Sequence, residues 1–109
     1  MALDFTALLN QMLDTAKNSL ASKWPAVKNL ATSSFKTLAH SLIDIEKMKL
    51  EGTITDEQAR LLLDMHKNTA KIVLLSEEIV GIVAAEEAIN AVLDSIKSTV
   101  NKATGFALL

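Results

Sequence analysis

The chain has 109 residues, room for one domain at about 100–200 residues each, and half of it is hydrophobic, with a mean hydropathy of +0.27. Aromatic residues make up 4%, tyrosine is absent, and glycine and proline number 3 and 1, which favours helices and excludes a turn-rich sheet protein. A net charge of −2 without clustered Lys or Arg excludes an electrostatic surface for nucleic acid, and the lack of cysteine excludes disulfides, thiolate metal sites and cysteine nucleophiles.

Residues 3–21 carry the first expected helix, with Phe5, Leu9, Met12, Ala16 and Leu20 spaced three or four apart. Met1 to Phe5 lack the basic segment and apolar core of a secretion signal, so the cytoplasm is the expected location. Trp24-Pro25 then interrupts the pattern. Proline has no N–H to donate and its ring clashes with the carbonyl four residues back, here that of Ala21. The helix either kinks there or stops and restarts, with Ser22 as N-cap and Pro25 in the first turn, where proline is tolerated.

The second helix is expected over 26–50, where Val27, Ala31, Phe35, Leu38, Leu42 and Ile45 follow the helical period. Gly52 suits a left-handed C-cap, and Lys47 and Lys49 in the last turn complement the helix dipole. The turn spans 51–55. After it, Thr55 and Gln58 have the spacing of a capping box, with Asp56 and Glu57 where negative charge favours a helix start.

The third helix is expected to run from 56 to 103, followed by a flexible apolar tail over 104–109. A three-four alternation links Leu61, Met65, Asn68, Ile72, Leu75, Ile79, Ile82, Glu86, Ile89, Leu93, Ile96, Val100 and Ala103. Gly81 has no turn residues beside it, so the helix is read through it at a cost of about 1 kcal/mol against alanine. The apolar stretch 72–92 holds Glu77, Glu78, Glu86 and Glu87, too many carboxylates for a membrane-spanning helix.

The predicted fold is all-α: a long antiparallel hairpin, kinked at Trp24-Pro25, that dimerises into a four-helix bundle. Folding back about Thr53 brings Pro25 beside Gly81, Arg60 beside Glu46, Glu57 beside Lys49, and Leu20 beside Glu86. Each arm would reach roughly 70 Å at ~1.5 Å per residue, and one hairpin alone would leave a broad apolar face bare. The expected interface is Ile72, Leu75, Ile79, Ile82, Glu86, Ile89, Leu93 and Ile96, with Gly81, Ala85 and Ala88 as a small-residue strip admitting a second backbone. The competing architecture bends the first arm fully near residues 22–25 to give a compact three- or four-helix monomer.

No catalytic constellation emerges. Neither His40 nor His66 has an acid three positions before it, since Thr37 and Leu63 stand there, so the Glu-x-x-His pattern of di-metal bundles is missing. Glu86, on the seam, reads as a polar register-setter answered by Lys17 or Lys23. Glu77, Glu78, Glu86 and Glu87 have no histidine in reach for acid–base work. Thr32, Ser33 and Ser34 lack a nucleophile-elbow context, and the three glycines form no phosphate loop. Neither cofactor nor metal is expected.

The expectation is a non-enzymatic interaction or assembly protein, of the kind found among small bacterial or phage regulatory and structural factors. It would act as a homodimer and bind a second protein through its polar faces or through the tail residues Phe106, Ala107, Leu108 and Leu109. The alternative is a membrane-active hairpin whose apolar surface opens onto a bilayer.

Overall fold

In a computed structural model describing residues 3–109, four helices follow one another: α1 (Phe5–Leu20), α2 (Trp24–Leu50), α3 (Asp56–Leu75) and α4 (Ile82–Thr104). The Asp4 carboxylate starts α1 by accepting the Ala7 N–H at 3.2 Å. The chain then reverses through Ala21, at φ 49° and ψ −117°, and one 3₁₀ turn over Ala21–Lys23. Pro25 lies in the first turn of α2, and Lys23, not Ser22, occupies the N-cap position. The reversal is complete. The Leu3 N–H reaches the Glu46 carboxylate (3.2 Å to Oε2), and the Phe5 ring stacks on His40 at 4.0 Å, so α1 runs back along α2.

The turn expected over 51–55 forms. Gly52 adopts φ 73° and donates its N–H to the Lys49 carbonyl, while the Thr53 N–H reaches Met48, the two bonds of a Schellman motif. Thr55 and Gln58 complete the capping box, at 3.0 Å from the Gln58 N–H to the Thr55 hydroxyl and 2.9 Å from the Thr55 N–H to Gln58 Oε1.

The helix read as continuous from 56 to 103 is interrupted. It ends at Leu75, and α4 begins after Gly81, an extended N-cap residue at φ −77° and ψ 168°. Local chemistry helps: the Ser76 hydroxyl turns back onto the Val73 carbonyl at 2.6 Å, and Glu77 and Glu78 follow a helix C-terminus, the end that disfavours acids. Tertiary burial decides the matter. Helix propensity at these positions amounts to tenths of a kcal/mol per residue, whereas burying each large side chain contributes about 1.5–3 kcal/mol. The break lets α4 bury Ala85, Ala88, Ile89, Val92, Leu93, Ile96 and Val100, with Val80 of the connecting segment entering the same core.

The four helices close into one up-and-down bundle. The Ser34 hydroxyl of α2 bonds to the Ala70 carbonyl of α3 (3.3 Å), Lys71 of α3 to Glu86 of α4 (2.6 Å), and Gln11 of α1 to the Ser95 carbonyl of α4 (2.6 Å). Helices α1 and α3 stand on opposite corners without touching. The longest dimension is 41 Å and the radius of gyration 13.6 Å, close to the ~13 Å of a compact domain this size. The arms of roughly 70 Å are therefore replaced by the competing architecture, a compact bundle made by one chain.

The core follows the α2 period residue for residue: Val27, Ala31, Phe35, Leu38, Leu42 and Ile45 are all buried. In α1, Met12, Ala16 and Leu20 are buried with Leu8, while Phe5 and Leu9 lie half-buried at its edge. The tail is docked. Leu108 is buried, the Leu109 N–H bonds to the Asn101 side chain at 2.9 Å, and Arg60 reaches the Ala107 carbonyl at 3.3 Å. Lys49 and Arg60 also stand over the Phe106 ring, each at 5.3 Å. Apolar tail residues next to a bundle end gain more by covering it than by staying in water.

Candidate interaction surface

The seam read as one continuous interface is divided by the break after Leu75. Ala85, Ala88, Ile89, Leu93 and Ile96 are buried in the chain's own core and are not available to a second protein. Ile72, Ile79 and Ile82 stay exposed, at 68%, 44% and 60%; Gly81 is exposed and Leu75 half-buried. The loop changes the phase between the two halves, so residues of one heptad series point inward on α4 and outward on α3. No close backbone approach occurs at Gly81, where an added Cβ would meet nothing within 4 Å.

Glu86 is a surface residue. Its carboxylate pairs with Lys71 at 2.6 Å, with half of the side chain open to solvent, and such a pair contributes at most tenths of a kcal/mol. It sets no register inside a core, and its cation comes from α3, not from Lys17 or Lys23. The buried carboxylate is Glu46, fully enclosed and held by the Leu3 N–H. The sequence carries a signal for it: Leu38, Leu42 and Glu46 are four apart on the face that packs inward. The pairs expected across the turn, Arg60 with Glu46 and Glu57 with Lys49, do not form: Lys49 is bound to Asp56, Arg60 to the Ala107 carbonyl, and Glu46 to the Leu3 N–H.

Helix α3 carries two apolar faces. At 100° per residue, Leu61, Met65, Asn68 and Ile72 fall within about 60° of one another. Ala59, Leu63, Ala70 and Leu74, which enter the core, are centred about 180° away. The outward face is exposed along its length: Leu61 at 59%, Met65 at 62% and Ile72 at 68%. An open groove of about 280 Å³ sits at its N-terminal end, lined by Ile54, Gln58, Leu61, Leu62 and Met65. Scattered apolar residues are normal on a surface; here Leu61, Met65 and Ile72 share one side of a single helix, beside a shallow apolar depression at its end.

A second groove of about 380 Å³ runs between α3 and α4 over a floor of Leu63, Leu93 and Leu108. Asp64, Lys67, Asp94 and Lys97 give its rim both signs of charge, and no histidine or hydroxyl lines it. His40 is stacked on Phe5, whereas His66 borders a shallow α2–α3 groove beside Ser33, Thr37 and Thr69. Among the described residues no three His, Asp or Glu side chains gather to hold a metal, and no helix is long and apolar enough to cross a membrane.

Comparison of this chain with protein-family models, with characterised proteins and with solved structures finds no match.

Proposed function

We propose that this chain is a non-enzymatic interaction or assembly protein of the cytoplasm, acting by self-association and by binding a second protein. The observation that supports this reading is the outward row of α3, Leu61, Met65 and Ile72, each more than half exposed and opposite the face that packs inward. A helix apolar on both sides is ordinarily buried on both sides. The folded bundle covers one.

The solution mass as a function of concentration tests the reading. Light scattering or sedimentation should show the mass rising from the 11.8 kDa of one chain towards twice that value. A mass that stays at one chain throughout would sink self-association.

A membrane-surface role is the second reading. It draws on Ile79, Ile82 and Val83, exposed on and beside the loop over 76–81 at one end of the bundle. Such a tip suits shallow insertion into a bilayer interface. Liposome co-sedimentation decides it: no binding at any lipid composition removes it.

A further inference from the structure

The charges beside the exposed row of α3 are ordered. On the flank facing α4, Glu57 and Asp64 come first and Lys67 follows, with Lys71 beyond it already paired to Glu86, so the unpaired charge is acidic in the N-terminal half and basic at Lys67. Arg60 departs from this order, but its guanidinium is turned onto the Ala107 carbonyl and the Phe106 ring. The opposite flank, Gln58, Thr69 and Val73, carries no fixed charge.

We infer that the occupant of this face is a second copy of the chain, with the two α3 helices packed antiparallel about a two-fold axis between Met65 and Asn68. The inference rests on the self-association proposed above and assigns its surface and direction. In an antiparallel pair each flank meets its own counterpart reversed, so Asp64 of one copy faces Lys67 of the other. In a parallel pair the charged flank meets the uncharged one, and Asp64 and Lys67 gain no partner from the second copy. The apolar parts agree with the antiparallel order. With Leu61 level with Ile72 of the second copy, the exposed Ile72 of each copy lies at the groove that Ile54, Leu61 and Met65 line in the other. Each copy thus presents an exposed isoleucine towards one end of its row and an apolar groove at the other, the self-complementary surface that a closed dimer requires. A bilayer would gain nothing from the ordered flank, whose acidic half opposes an anionic headgroup layer.

Single-cysteine variants test the direction directly, because the chain has no cysteine of its own. In the antiparallel pair Met65 and Asn68 lie close to their own counterparts. Leu61 is displaced from its counterpart by about 16 Å along the axis, beyond the Cα separation of about 4.4–6.8 Å that a disulfide bridges. Under mild oxidation, Met65→Cys and Asn68→Cys should become mostly cross-linked dimer. Leu61→Cys or Ile72→Cys alone should stay uncross-linked, and an equimolar mixture of those two should cross-link. All four side chains are exposed, so each variant should keep its helix content, which far-ultraviolet circular dichroism checks.

Efficient cross-linking of Leu61→Cys with itself would overturn the antiparallel order. No cross-linking at any of the four positions, in a protein whose solution mass is that of a dimer, would overturn this surface and leave self-association standing. A mass of one chain at every concentration would overturn both.

Discussion

Replacing Ala21 by glycine should stabilise the protein. Ala21 is the one non-glycine residue with positive φ among the described residues, at φ 49° and ψ −117°, and it stands where α1 hands over to α2. An L-residue held in that region carries about 1–3 kcal/mol of backbone strain. Glycine relieves it and loses about 0.4–1 kcal/mol through the larger entropy of its unfolded chain. At the middle of both ranges the difference is a net gain of about 1.3 kcal/mol. For a domain near this size that raises the melting temperature by several degrees, at about 4–8 °C per kcal/mol.

The side chain at Ala21 is exposed, so neither substitution there disturbs the core. Ala21→Val provides the opposite perturbation, because a β-branched residue is the poorest occupant of positive φ. Urea unfolding followed by far-ultraviolet circular dichroism should place the midpoints in the order glycine, wild type, valine, with unchanged slopes. Equal midpoints for the three proteins, or a lower one for glycine, would refute the sharp turn. With it would fall the argument that α1 folds back along α2.

Two further substitutions separate the two faces of α3. Leu63→Ala, at a buried position, should cost about 2–4 kcal/mol, whereas Leu61→Ala, at an exposed one, should stay within about 0.5 kcal/mol when measured on dilute protein. The reverse order would mean that the helix is rotated by half a turn. Leu108→Ala should lower stability by about 1–3 kcal/mol, in urea titrations, if the tail seals the bundle end. Wild-type stability for that variant would show that the tail contributes nothing to the fold.

What was legible in the sequence came from interactions that are local or strictly periodic. The 51–55 turn is one case, because a Schellman motif and a capping box are written within a few residues and need no distant partner. The core face of α2 is another: the apolar residues that the period links from Val27 to Ile45 form a single row, so only one rotation buries them. Helix α3 lacked that property. Two apolar rows, one through Leu61 and Ile72 and one through Leu63 and Leu74, satisfy the helical period equally, and the heptad count followed the row that the fold leaves outside. Counting onward through residues 76–81 then merged an outer row of α3 with an inner row of α4.

The sequence by itself therefore determined that the protein is helical, where its central turn lies and which side of α2 packs inward. Those features depend on propensity, capping and period within one segment. Only the tertiary structure decided that the chain reverses at Ala21, that the helix breaks after Leu75, that Glu46 and not Glu86 is the enclosed carboxylate, and that the tail closes the bundle. Each is settled by apolar surface buried between segments far apart in the chain, and that gain outweighs the tenths of a kcal/mol by which local propensity favours continuing a helix. The row of Leu61, Met65 and Ile72 is left exposed for the same reason: within one chain only α2 and α4 pack against α3, and they cover only one of its sides.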